Sequence, residues 1–239
     1  MNDYVAPGSI ASTPLGMPYS PAERAQDRLA RGAWLVALSL AVLLVTCIKA
    51  LACWYPVAFG DESTYSLLAR YGATEEVVQR IGLIDQLPNH LYYAIYRLAF
   101  SFGDNFYTGA KLLNSAFIAA SFFPIYLLCR LFLPVGKAVA LAAITVLGPI
   151  SSYASYFMAE SPYFFGFWTY VYLSIRSLGK PVIAQACISG VVLGLLVLIK
   201  PHAIMLLPCS ALLFALVVWK RLDPNARWLQ IFWRSLSSG

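Results

Sequence analysis

The sequence predicts an all-α fold, a polytopic membrane helical bundle of about six transmembrane helices, and three observations predict it. Sixty per cent of the 239 residues are hydrophobic and only 12% are charged, whereas soluble domains are about half apolar and about a quarter charged. Mean hydropathy is correspondingly high, at +0.69. Apolar runs suited to a ~30 Å hydrocarbon core alternate with polar connections, and Lys and Arg gather on every second connection. A disordered chain and a soluble enzyme are excluded. The net charge of +6, from 17 Lys and Arg against 11 Asp and Glu, would point to nucleic acid in a soluble protein. Here most of the excess falls on one membrane face, so no nucleic-acid partner is expected.

Residues 1–31 read as a flexible cytoplasmic tail, rich in Pro, Gly and Ser to about residue 22 and ending in a short charged helix with Glu23, Arg24, Asp27, Arg28 and Arg31. A transmembrane domain over 32–222 follows. Its first apolar run, Ala33 to Phe59, is interrupted only by Lys49. About thirty polar residues precede it with no small-residue cleavage pattern after it, so it is expected to be a retained anchor and not a signal peptide. Further spans are expected at Leu112 to Leu128, Ala138 to Met158, Pro162 to Ile175, Pro181 to Ile199 and Ala203 to Trp219. Gly148-Pro149 can break the third. A basic tail, 223–239, closes the chain. Arg24, Arg28, Arg31, Arg130, Lys137, Arg176, Lys180, Lys220, Arg221, Arg227 and Arg234 all lie on one set of alternate connections. The positive-inside rule makes that set cytoplasmic, with both termini there.

Acid collects on the opposite face: Asp61, Glu62, Glu75, Glu76, Asp85, Asp104 and Glu160. All but Glu160 sit in one external loop, 60–108, too long to be a bare connection. Asp61 can cap a helix through Tyr65, Leu68 and Ala69 that stops at Gly72. Thr74 can cap a second with Val77, Val78, Ile81 and Ile84 on one side, and Leu91, Ile95, Leu98 and Phe102 mark a third. Helices of this kind between two spans would be amphipathic and interfacial. The five cysteines form no Cys-x-x-Cys pair and no histidine cluster accompanies them, so small packing residues, and no metal site built on them, are expected.

The candidate chemistry is at that outer face. Asp61 and Glu62 are adjacent acids just after the first span, where like charges repel and burial is unfavourable without partners. Helix capping is the plain alternative for Asp61, but a helix N-terminus also keeps a carboxylate ionised and fixed, as a general base must be. Glu160, before Ser161-Pro162, carries the same two readings. Arg70, Lys111, Lys200 and His90 are cations on the same side. Singly each reads as a snorkelling or solvated group, and together they suggest a phosphate site.

These residues come in an order that resembles the N-terminal half of the C-fold (GT-C) membrane glycosyltransferases, the group that holds protein O-mannosyltransferases and the aminoarabinose transferases of lipid A. The matching pieces are Asp61-Glu62-x-x-Tyr65 with Leu68-Ala69-Arg70, Leu87-Pro88-Asn89-His90-Leu91-Tyr92-Tyr93, Ala110-Lys111-Leu112-Leu113-Asn114, Glu160-Ser161-Pro162 and Lys200-Pro201. Asn89 stands where the family has a second proline, and His90 follows the proline where the family's basic residue precedes it. The resemblance implies transfer of a sugar from a polyprenyl-phosphate donor to an acceptor on the extracytoplasmic face. It makes Asp61 the base, Glu62 and Glu160 residues that orient the acceptor or hold Asp61, and Arg70, Lys111, Lys200 and His90 the binders of phosphate. The family has about a dozen spans, so the likeness also implies a truncated chain, or a second polypeptide supplying a C-terminal half.

No cofactor is required by this reading, although clustered carboxylates would suit a divalent metal. Membrane lipid is an expected partner and the cell (inner or plasma) membrane the expected location. The competing reading is a non-catalytic polytopic protein, a transporter half or an accessory subunit of a transferase. Transport calls for ionisable residues near the bilayer midplane on broken helices. Lys49 and Gly148-Pro149 fit that description, but no buried acid accompanies them.

Overall fold

The computed structural model describes residues 21–53, 61–72, 89–179 and 183–222, and among them every regular element is helical. In chain order these are α1 (Pro21–Ala52), α2 (Glu62–Tyr71), α3 (His90–Tyr96), a 3₁₀ segment (Arg97–Asn105), α4 (Phe106–Ala120), α5 (Phe122–Cys129), α6 (Val135–Leu147), a second 3₁₀ segment (Pro149–Ser155), α7 (Glu160–Gly179), α8 (Ile183–Ile199), a third 3₁₀ segment (Pro201–Met205) and α9 (Leu206–Leu222). The helix expected from Thr74 and both terminal tails, 1–20 and 223–239, lie outside the described residues.

The chain divides at Leu38 and Ser39 into two compact units. Of the first, the structure describes the opening turns of α1, where Trp34 and Val36 are exposed. The charged segment and the first apolar run as far as Ala52 thus belong to one continuous helix. The second unit holds the rest. Within it α1 buries a narrow stripe, Val42, Thr46 and Ala50, at a spacing of four, while Leu40, Leu44 and Ile48 point outward. Thr46 satisfies its hydroxyl on the carbonyls of Val42 and Leu43, at 3.0 and 2.9 Å. That leaves no buried polar atom on the stripe unpaired. Lys49 donates to Ser151 Oγ at 2.5 Å.

α6 follows the same plan. Ala138, Ala142 and Val146 are fully buried while Leu141, Ile144 and Leu147 are exposed. Small residues let helix backbones approach, and the outward faces are apolar where a water-soluble helix would be charged. By length and composition Gly32–Ala52 and His90–Cys129 could each cross a membrane. The pair Val135–Leu147 and Pro149–Ser155, bent by 45° at Gly148-Pro149, makes a third if it counts as one span. Ala184–Ile199 and Pro201–Leu216 are shorter apolar helices. The stretch His90–Cys129 has 40 residues, about twice what a ~30 Å core needs. Gly103, at φ 60 and ψ −128, breaks it, and Phe106–Cys129 alone is long enough to span.

Two close approaches set the packing around the site. At Gly109 in α4 an added Cβ would meet Phe102 Cδ2 at 2.7 Å and the backbone of Ala99 at 2.9 and 3.0 Å, so the 3₁₀ segment lies directly on α4. α7 packs along α8, with Gly166 against the side chain of Leu196. In the stretch from Leu91 to Phe102 the inward face is Tyr92, Tyr96 and Ala99, and Leu98 and Phe102 are exposed. The aliphatic spacing that marks this helix in the sequence therefore lies partly on its outer side, and tyrosine makes its inner contacts.

Candidate functional site

α2 positions the first acids. Tyr65, Leu68 and Ala69 bury one face, and Glu62 lies on that face one turn earlier, while Asp61 is exposed. The helix expected from Asp61 to Gly72 forms, with Gly72 at φ 74 as its stop. Asp61 occupies the N-cap position but makes no side-chain cap bond. Adjacent residues on a helix lie about 100° apart, so two neighbouring carboxylates enter two environments.

Glu62 is 2% exposed, and its Oε1 accepts the backbone N–H of Phe157 at 2.5 Å. Phe157 is fully buried at the centre of an aromatic cluster, with Tyr96, Tyr107, Tyr92, Phe100 and Phe106 ring centroids 5.4 to 6.2 Å away. Each such pair is worth about 0.5–1.5 kcal/mol beyond area burial. The segment from Tyr156 to Ala159 is not helical, so its backbone groups need partners from elsewhere. Glu62 supplies one. Asn114 of α4, fully buried, supplies another by donating from Nδ2 to the carbonyl of Tyr156 at 2.6 Å. Its Oδ1 in turn accepts the hydroxyl of Tyr96.

This segment delivers Glu160 as the first residue of α7. Oε1 of Glu160 receives Lys200 Nζ at 2.7 Å, the two side chains being 22% and 25% exposed, and Oε2 is buried with no hydrogen-bond partner. Lys200 follows α8, where Pro201 opens the next 3₁₀ segment, and its ammonium stands 6.0 Å from the Tyr163 ring centroid. Tyr65, 6% exposed, links the two acid groups. Burial first, and then the charges of Asp61 and Glu160, push its hydroxyl above the ordinary phenol range, with the nearby Asn89 amide working the other way. Acids from two separate connections therefore act on one phenol.

The remaining cations divide. Lys111 donates to the carbonyl of Cys53 at 2.7 Å, just past the end of α1, and Lys200 is in the ion pair. Arg70 and His90 are exposed. Arg70 lies over the rings of Tyr71 and Phe100 at 5.2 and 5.8 Å. Among the described residues no three His, Cys, Asp or Glu stand together in a way that could hold a metal ion. All five cysteines are free. Asn114 carries no charge, and the charged residues of the sequence do not point to it. Its signal is an amide inside an apolar run, which in such a helix requires a polar partner. No family model, curated protein or solved structure matches the chain.

Proposed function

We propose that the protein is a membrane glycosyltransferase, or its N-terminal module, that transfers a sugar from a polyprenyl-phosphate donor to an acceptor on the extracytoplasmic face. In this reading the chain has six spans with both termini cytoplasmic, and the loop over 60–108 lies in the headgroup region of the cell (inner or plasma) membrane. The observation that carries the proposal is the bond from Glu62, in the first connection, to the Phe157 backbone three residues before Glu160, on a helix whose Tyr65 feels the charges of both Asp61 and Glu160.

The division of roles follows from exposure and bonding. Asp61 is exposed and makes no cap bond, so it is open to an acceptor and takes the proton as the acceptor attacks the anomeric carbon. General-base work of this kind is worth typically ~10² to 10⁴ in rate. The Glu160–Lys200 pair, whose acid is felt at Tyr65, orients the acceptor. Arg70 and His90, exposed on α2 and α3, meet the donor phosphate, whose growing negative charge they stabilise.

Single substitutions Asp61→Asn and Glu160→Gln test this, with transfer from a labelled polyprenyl-phosphate sugar measured in membranes of cells that naturally make the chain. Asp61→Asn is expected to lose about 10²-fold or more in kcat with donor KM little changed. Undiminished transfer by Asp61→Asn would remove it as the base.

A further inference from the structure

The bonds from Glu62 and Asn114 end on the same chemical group. The carbonyl of Tyr156 and the N–H of Phe157 belong to one peptide unit, so Asn114 Nδ2, at 2.6 Å, and Glu62 Oε1, at 2.5 Å, hold that single peptide plane from its two sides. The holders come from different elements, α4 and α2, and a third, α3, secures Asn114 through the Tyr96 hydroxyl. Tyr156 is in an extended conformation, φ −108 and ψ 152, so no helical ladder orients this peptide. Three residues further on stands Glu160.

We infer that Asn114 and Glu62 are positioning residues: together they fix the Tyr156–Phe157 peptide plane and so set the direction in which Glu160 enters α7. A planar peptide with both its polar ends bonded cannot rotate about the chain without breaking both bonds. The segment behind Phe157 is anchored by the aromatic cluster, so the remaining freedom of Glu160 is what the pinned plane leaves it. The inference deepens the proposed function and rests on it for the link to catalysis. It recasts Glu62 as a hydrogen-bond acceptor held in the protein, where the family resemblance would have it orient the acceptor or hold Asp61. An amide oxygen should serve in its place.

The test has two arms, both on the full chain in its own membranes or in nanodiscs made from them. In the first, hydrogen exchange at the Phe157 amide is followed by mass spectrometry. Slow exchange is expected in the unaltered chain, faster by about 10- to 100-fold in Glu62→Leu and retained at the slow rate in Glu62→Gln. In the second, Asn114→Leu and Glu62→Leu are expected to lower kcat for sugar transfer by about 10²-fold, as small misplacements do, with donor KM unchanged. Glu62→Gln should recover most of the activity that Glu62→Leu loses. Open-amide exchange at Phe157 in the unaltered chain overturns the inference. So does a Glu62→Gln protein as inactive as Glu62→Leu while its Phe157 amide stays slow, because the charge itself would then be what the reaction uses. Full activity of Asn114→Leu overturns it as well. An unaltered chain that transfers no sugar but protects Phe157 in a Glu62-dependent way defeats the proposed function and upholds the clamp. If Glu62→Leu does not accumulate, exchange in the unaltered chain and in Glu62→Gln decides.

Discussion

Replacing Lys200 by Met removes the ammonium and keeps the length of the side chain. Its consequence falls on Glu160. Oε1 loses its 2.7 Å partner, and Oε2 is already buried without one, so the variant keeps a carboxylate with neither oxygen paired. Breaking a fully buried pair costs about 3–5 kcal/mol, whereas an exposed pair is worth about 0–1 kcal/mol. The two side chains here are 25% and 22% exposed, which places the expected loss between those limits, at about 1–3 kcal/mol. Glu160→Gln should cost less, because an amide oxygen can still accept from the lysine. The assay is thermal or denaturant unfolding in detergent of the unaltered chain, both single variants and the double variant. The coupling energy of the cycle should be about 1–3 kcal/mol, well beyond the ~0.5 kcal/mol within which independent sites add. Additive single effects would show that the contact does nothing for the folded state and would refute the reasoning.

Two further outcomes follow from the packing and the charge. Gly109→Ala places a methyl within 3.0 Å of the Ala99 backbone, which cannot rotate aside as a side chain can; a loss of about 1–3 kcal/mol is expected in the same unfolding assay. Burial raises the hydroxyl of Tyr65 above the ordinary phenol value of about 10, with Asp61 and Glu160 adding to it. Folding favours the protonated phenol, so the stability it contributes is complete below about pH 10 and is lost as pH climbs through the raised value. Tyr65→Phe should therefore lose stability less steeply above pH 10 than the unaltered chain. In Asp61→Asn, ultraviolet titration should find Tyr65 ionising at lower pH than in the unaltered chain.

Apolar runs and turn residues made much of the helix pattern readable in advance. Gly72 ends α2, Gly148-Pro149 bends the third run, and Pro201 opens a 3₁₀ segment. The inner face of the stretch from Leu91 to Phe102 was harder to read, because in a chain with apolar outward faces a Leu or Phe at helical spacing no longer marks the inside. There Tyr92 and Tyr96 pack inward while Leu98 and Phe102 face out. The acids from Asp61 to Glu160 were visible in the sequence as a group, all but Glu160 within 60–108. Which of them would be exposed was not, since Asp61 and Glu62 differ by one residue and only the orientation of α2 against Phe157 decides. Nor could the linear order reveal that Lys111 bonds the Cys53 carbonyl, for that depends on where α1 ends relative to α4.

The two neighbouring acids illustrate how one helix start separates chemistry from support. A carboxylate as buried as Glu62 is costly unless it is hydrogen-bonded, and the Phe157 N–H gives it a fixed dipole at 2.5 Å. That bond turns the cost of desolvation into rigidity, since the same carboxylate oxygen orients the peptide that precedes Glu160. Asp61, one residue earlier, makes no side-chain cap bond and remains exposed. Exchanging the two, Asp61→Glu with Glu62→Asp, preserves charge and composition. It shortens the buried arm by one methylene and so withdraws the acceptor from a hydrogen bond already at 2.5 Å. The exchange should therefore loosen the Phe157 amide as a simple deletion of charge at residue 61 would not. Equal protection of that amide in the exchanged and unaltered chains would mean that the length of the residue 62 side chain, and hence its grip on the peptide, is immaterial.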